Sequence, residues 1–484
     1  MLFNSNSFIL LFLPVFILGY WIATRLEHRT PEKVWIVTGS LFFYSWWNPK
    51  YLPLIVGSIL INYFICNLIL KFNHVSHINK SRMLLSLGIG LNLAVLGYYR
   101  YTDFLIDYTN RIFNSDIPFL EVILPLAISF FTFQQIAYLI ESYKGSIPRQ
   151  SFLTYASFVT FFPQLIAGPI VYHSELIPKL TNKRSQFPDF DDLSRGLIVF
   201  AMGLAMKVIV ADTLSSFADY GFSNIQQLSI QEAWLATTSF SLQIYFDFAG
   251  YSTMAIGLAL LLGIKLPVNF DRPYLSTDIQ EFWRRWHMTL GRFFRDYLYI
   301  PLGGNRLGIG RTSINIMIVF ILGGLWHGAS LNFVVWGLLI GIGIAVQGLM
   351  RNIGVKINRW IAWIITLLFM NIVWVFFRST TLPKSVEMLK TMFGLVTNQV
   401  NLTGYSPEGG LFNLLSFDFG NILIGPAVFV IFAFVLALTV DTTWNAISKK
   451  SLNVKTLLVT VGLFIISILI MNWGDSREFI YFNF

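Results

Sequence analysis

Ile318-Val-Phe-Ile-Leu-Gly-Gly-Leu-Trp-His-Gly-Ala-Ser-Leu-Asn-Phe-Val-Val-Trp336 runs for nineteen residues without a formal charge. A run of that length is membrane material, and it decides the class of fold. Its one ionisable side chain is His327. Such a group is expensive in hydrocarbon and is usually retained for a function such as proton handling. Forty residues upstream, Glu281-Phe-Trp-Arg-Arg-Trp-His-Met-Thr-Leu-Gly-Arg-Phe-Phe-Arg-Asp-Tyr-Leu-Tyr299 sets His287 among arginines and tryptophans. One histidine sits in an apolar run and the other at a charged aromatic boundary. That pairing suggests chemistry at a membrane edge.

The composition of the whole chain agrees. Its 484 residues are 55% hydrophobic, 17% aromatic and only 12% charged, against about 25% charged in a soluble domain. The apolar runs exceed one hydrocarbon thickness and show no ten-residue alternation, so the expectation is an all-α, polytopic helical membrane protein rather than a barrel. The first run, Phe8 to Ala23, lacks a basic leader and a small-x-small cleavage site, and reads as a retained helix. Cys66 is the only cysteine, which excludes an intramolecular disulfide and a thiolate metal cluster. The net charge of +9 fits Lys- and Arg-rich cytoplasmic loops beside membrane lipid better than it fits a nucleic-acid partner.

Membrane segments are expected near 8–23, 33–47, 51–70, 83–99, 119–140, 151–171, 195–212, 233–262, 313–329, 331–350, 358–377, 421–441 and 455–473. Phe161-Phe-Pro-Gln-Leu-Ile-Ala-Gly-Pro169 is broken by Pro and Gly and reads as re-entrant. The stretch 281–300 is too charged to span, and reads as a helix or hairpin at the interface. The first, third and fifth loops hold Arg25, Arg29, Lys33, Lys71, Lys80, Arg82, Lys144 and Arg149; the second and fourth hold Lys50, Arg100 and Arg111. Basic loops stay inside, so the N-terminus is expected outside and the odd loops cytoplasmic. The basic stretch 265–311 then faces the cytoplasm and both termini lie outside, although Arg378, Lys384 and Lys390 fit that count poorly. The chain reads as one membrane domain, 1–484, without a soluble catalytic domain.

Several residues carry two readings. His327 is either a structural histidine bonded between helices or a general base, since a buried neutral imidazole can take a proton from a hydroxyl. His287 is either packed among interfacial aromatics or part of the chemistry. Trp283, Arg284, Arg285 and Trp286 read as a surface belt, or as a mouth whose guanidinium forks attract an anionic ligand. Arg292 and Arg295 continue that face, and Asp296 is placed to pair with Arg292 at i, i+4. Trp326 and Asn332 flank His327 and join the candidate support. Asp247 lies inside Gln243-Ile-Tyr-Phe-Asp-Phe-Ala-Gly-Tyr-Ser252 and needs a partner, a histidine or an arginine. Glu141 reads as a helix end. Pro301-Leu-Gly-Gly-Asn-Arg306 is a tight turn and not a nucleotide loop. The tail Arg477-Glu-Phe-Ile-Tyr-Phe-Asn-Phe484 is an aromatic anchor, or leaves Tyr481 able to reach a cavity.

Phe282-Trp-Arg-Arg-Trp-His287, Arg295-Asp-Tyr-Leu-Tyr-Ile-Pro-Leu-Gly-Gly-Asn-Arg306 and Leu325-Trp-His-Gly328 together resemble the membrane-bound O-acyltransferase (MBOAT) family, in its alginate O-acetyltransferase-like branch. Leu124-Pro-Leu-Ala-Ile-Ser-Phe-Phe-Thr-Phe-Gln-Gln135, Pro163-Gln-Leu-Ile-Ala-Gly-Pro169, Met202-Gly-Leu-Ala-Met-Lys-Val-Ile-Val-Ala-Asp-Thr213 and the tail fit the same branch. Ala127 stands where the branch suggests Gly, Met206 where Lys is common, and Glu141 where Asp is common. The resemblance implies a ring of helices with re-entrant segments around a funnel, His327 at its constriction and His287 nearer the cytoplasmic mouth. It implies a thioester donor, acetyl-CoA or an acyl carrier, and a periplasmic SGNH-esterase-like partner that acetylates a polysaccharide at a bacterial inner membrane. It also implies Tyr481 as a transient acyl acceptor.

Three functions remain in view. The first is acyl transfer across the membrane for O-acetylation of an exopolysaccharide or peptidoglycan, with D-alanyl-type transfer as a variant. The second is a transporter or flippase, which broken helices also fit. The third is a scaffold that recruits a secreted esterase. Two histidines forty residues apart are weak evidence for a metal, and none is expected.

Overall fold

The computed structural model describes residues 1–26, 28–73, 78–181, 190–396, 424–440, 454–473 and 477–480. Tyr481 lies outside the described residues. Among these, every regular element is a helix and no strand occurs. Nine described helices are long and apolar enough to cross a membrane: Ser7–Thr24, Pro49–Phe72, Ile78–Phe113, Phe190–Ser223, Ile230–Leu261, Gly308–His327, Leu331–Asn352, Arg359–Arg378 and Val454–Trp473. All nine overlap expected segments. The remaining expected segments differ in form. Residues 33–45 fall in a shorter helix, Thr30–Ser45, with 46 and 47 in the turn after it, and 421–441 lies around Ile424–Thr439. Residues 119–127 are not helical, because Pro118 and Pro125 interrupt the chain; the helix starts only at Ile128. The Asp103 carboxylate instead binds the amides of Leu120 and Val122 at 2.8 and 3.0 Å.

The chain forms two compact units. The first comprises Met1–Leu197 with Ala255–Pro267. Its centre is the broken segment. Helix Phe152–Thr160 stops at Phe161 (φ −48°, ψ 102°), and one turn, Phe162–Leu165, follows with a proline in its first turn. Residues 154–171 are buried without exception. Broken backbone inside an apolar setting must find partners. Here Gln134 and Gln164 both donate to the carbonyl of Phe158, at 3.1 and 2.7 Å, and Ser40 Oγ accepts the Phe162 amide at 3.1 Å. The Phe162 ring packs against Phe8, Phe12, Phe16 and Phe43. A side chain at Gly168 would lie 2.5 Å from the Gln164 backbone, so the turn needs glycine.

The second unit comprises Ile198–Met254 with Val268–Phe484. Two glycine contacts set its geometry. Gly203 and Gly250 abut so closely that a Cβ on either would lie under 3 Å from the other's carbonyl. Small residues let helices approach in this way, and the crossing brings Lys207 beside Asp247. The second contact is the hairpin of Gly308–His327 and Leu331–Asn352, joined by only three residues. A Cβ at Gly324 would meet the Phe333 carbonyl at 2.1 Å, and one at Gly337 the Phe320 carbonyl at 2.1 Å. His327 ends the first of these helices.

Candidate active site

His287 sits at a corner. Helix Ile279–Arg285 ends before it and helix Met288–Phe294 begins after it, with His287 itself at φ +42°. A left-handed backbone is uncommon for any residue with a Cβ, although histidine adopts it more readily than most, and such positions cluster at functional sites. The residue is buried, and its Nδ1 lies 3.0 Å from Asn269 Oδ1. Asn269 is oriented by its own contacts: Nδ2 donates to Ser252 Oγ at 3.1 Å, and Oδ1 also accepts from Thr289 Oγ1 at 2.9 Å. Its oxygen therefore faces His287, so Nδ1 carries the proton and Nε2 keeps its lone pair. Nε2 is buried and has no hydrogen-bond partner among the described residues. Burial pushes the imidazole down to about 3, so it is neutral at physiological pH.

His327 is ringed by aromatics. Its ring centroid lies 4.8 Å from Trp326 and 5.2 Å from both Trp336 and Phe377. Trp326 also lies 6.4 Å from His287, so one indole touches both histidines. Trp283, Trp286, Trp336 and Trp374 continue this cluster, with neighbouring rings 5.0 to 6.4 Å apart. Trp283 and Trp286, which read from sequence as a surface belt, are packed into this aromatic interior.

The arginines divide. Arg285 is tied to Glu281 at 2.8 Å and to the Asp271 carbonyl at 3.3 Å. Arg295 is exposed and pairs with Asp296 at 2.7 Å. Arg284 is exposed. Asn332 is buried and ties the hairpin to the end of the next helix, donating to the Ser379 carbonyl at 2.6 Å. Glu141 sits in the last turn of helix Ile128–Tyr143 and pairs with Lys144 at 2.8 Å.

Asp247 has a partner that is neither histidine nor arginine. Lys207 Nζ lies 2.8 Å from Asp247 Oδ1 and 2.7 Å from Asp212 Oδ1, all within one buried knot. The other oxygen of Asp247 accepts the amide of Ile480 at 2.7 Å. Beside this knot lies a cavity of about 690 Å³, lined by Lys207, Asp212, Gln243, Phe377, Arg378 and Ile480 among others. Phe377 is the ring that also touches His327.

Sequence reasoning missed Asn269, Lys207 and Asp212 as site residues. A lysine inside an uncharged run is itself a signal of function. Asn269, a neutral residue in an irregular stretch, carries no such mark.

A polytopic helical membrane protein with two histidines joined through one tryptophan is the class that these observations define. The chain belongs to the membrane-bound O-acyltransferase (MBOAT) family, whose model matches residues 7–382, and it is an acyltransferase. It is similar to the peptidoglycan O-acetyltransferase of Helicobacter pylori, 45% identical over 443 residues that cover 85% of this chain and 83% of the relative. It is also similar to the "Probable alginate O-acetylase AlgI" of Pseudomonas aeruginosa, 38% identical over 416 residues, 84% of this chain and 78% of the relative. The teichoic acid D-alanyltransferase of Bacillus subtilis is 29% identical over 223 residues, 44% of this chain and 56% of the relative.

Proposed function

We propose that this chain takes an acetyl group from a cytoplasmic thioester, acetyl-CoA or an acyl carrier, and passes it across the bacterial inner membrane for O-acetylation of an envelope or secreted polysaccharide. The observation that carries the reading is Trp326, one ring in contact with both histidines. The names of the relatives favour peptidoglycan or an alginate-like polymer as the final acceptor. They favour acetyl over D-alanyl, because the D-alanyl relative aligns with less than half of the chain.

In this reading His327 is the general base. It takes the proton of the Tyr481 hydroxyl, whose ordinary pKa near 10 keeps it protonated until a base acts. The phenolate oxygen attacks the thioester carbonyl. The carbon–sulfur bond breaks, the sulfur leaves with the proton returned by His327, and an acetyl-tyrosine ester remains. A hydroxyl of a periplasmic SGNH-esterase-like partner then accepts the acetyl group. His287, neutral and with Nε2 open, accepts a hydrogen bond that orients the donor. Trp283, Trp286, Arg284, Arg285 and Arg295 belong to the donor side, which faces the cytoplasm; both termini lie outside.

The test is polymer O-acetylation in cells carrying wild type, His327→Ala or Tyr481→Phe at matched membrane levels. Loss in both supports transfer with a tyrosine relay. Loss in His327→Ala alone keeps the transfer and removes the relay. Normal acetylation in both sinks the catalytic assignment and returns the transporter or scaffold.

A further inference from the structure

Lys207 carries one positive charge and faces two carboxylates, Asp212 and Asp247, in a knot that is almost wholly buried. A lysine needs only one carboxylate to neutralise it, and a second buried carboxylate is costly unless hydrogen-bonded. What the second carboxylate gains is the tail. Asp247 Oδ2 accepts the Ile480 amide at 2.7 Å, and Lys207 Nζ also donates to the Glu478 carbonyl at 3.3 Å. Between these two backbone contacts, the Phe479 ring stacks on Tyr251 at 4.6 Å and meets Phe248 at 5.6 Å. Phe248 is the ring that packs on His287 at 4.6 Å. One step earlier, Arg477 pairs with Asp219, which also takes Arg378.

The tail is thus read twice, through its backbone at 478 and 480 and through its side chains at 477 and 479. Hydrophobic anchoring alone would let it slip by a residue. Backbone bonds to the ion pair hold the tail in place, and the Arg477 side chain on Asp219 with the Phe479 ring on Tyr251 fixes which residue stands where, since every residue offers the same N–H and C=O. The geometry points to Lys207 and Asp247 as positioning residues: with Asp219 they form a clamp that holds residues 477–480 in one register beside the cavity. Tyr481 follows directly in the chain. The clamp gives the acyl relay a fixed point of entry, and this role rests on the relay proposed above.

The test uses the full chain in membranes, with Ile480→Cys as reporter and native Cys66 as control. Both positions are buried. Labelling by a permeant maleimide is read at each thiol by peptide mass spectrometry. Asp247→Ala is expected to raise labelling at position 480 about tenfold, the worth of one charge-assisted hydrogen bond, with Cys66 still protected. With Ile480 intact, Asp247→Ala should lower kcat for acyl transfer by a similar factor and leave the donor's KM unchanged. Asp247→Asn keeps an acceptor oxygen for the Ile480 amide and should restore part of both. Unchanged labelling at 480 with Cys66 protected overturns the clamp. If Cys66 also labels, the fold has been lost, and Arg477→Ala carries the test: labelling at 480 should rise, and no rise overturns the clamp. Inactive Tyr481→Phe with no release at 480 keeps the relay and discards the clamp. Active Tyr481→Phe with release at 480 does the reverse.

Discussion

His287 Nδ1 and Asn269 Oδ1 lie 3.0 Å apart, and this one contact decides which ring nitrogen of a buried histidine is open. The imidazole is held at about 3, against its ordinary value of 6.5 in an unfolded chain. Between those values the unfolded chain binds a proton that the folded chain refuses. Stability is therefore full above about pH 6.5 and falls as pH drops through that window. One such site loses about 2 kcal/mol by about pH 5. Thermal unfolding of wild type and His287→Gln, in one detergent at about pH 7.5 and about pH 5, checks this. The wild type should lose more. An equal loss would place the sensitivity at the Met1 amine or His173, which burial also moves down.

The same contact predicts a second effect, on rate. Asn269→Asp sets a carboxylate against Nδ1 and favours the imidazolium. The His287 pKa should rise, and acyl transfer should begin to fall at a higher pH than in the wild type. Asn269→Ala leaves a buried N–H without its acceptor, a cost of about 1–3 kcal/mol, and releases the tautomer. Its activity should drop at every pH. The pH–rate profiles of the two variants separate the effects; identical profiles would remove Asn269 from the site.

The membrane class was legible because a nineteen-residue uncharged run has one physical reading. The break at 161–169 was legible for a similar reason, since Pro163 has no amide hydrogen to continue a helix and Gly168 weakens one. Residues 119–127 were not, because hydropathy counts Ile and Leu alike on either side of a proline. The two histidines stood out as ionisable groups in odd company, but their connection through Trp326 did not, because ring contacts across helices leave no periodicity. Asp247 announced that it needed a partner. It could not announce which, since the choice of Lys207 depends on how closely Gly203 and Gly250 approach.

Ala127 stands at φ +62° as the residue before helix Ile128–Tyr143. That backbone costs an L-residue about 1–2 kcal/mol, and glycine nothing. Glycine gives back about 0.4–1 kcal/mol through the unfolded chain. Ala127→Gly should therefore be mildly stabilising, and Ala127→Val, branched at Cβ, clearly destabilising. Melting of the two purified variants measures the order, and a stabilising valine would mean that the turn is not left-handed.

The last prediction concerns the hairpin that carries His327. At Gly324 and Gly337 an added methyl would lie 2.1 Å from a backbone carbonyl of the facing helix, and a carbonyl cannot rotate away as a side chain can. The helices must part, and His327, three residues beyond Gly324, moves with them relative to Trp336. Gly324→Ala and Gly337→Ala should each cost about 1–3 kcal/mol, the usual range for overpacking, and should lose acyl transfer out of proportion to the lost stability. Gly310 and Gly348 lie on the same two helices with nothing within 4 Å of an added methyl. There alanine should be neutral or stabilising by about 0.5–1 kcal/mol through helix propensity alone. Comparing the four variants for melting temperature and acyl transfer tests whether close backbone approach, and not glycine as such, sets the position of His327. Full activity in Gly324→Ala would show that it does not.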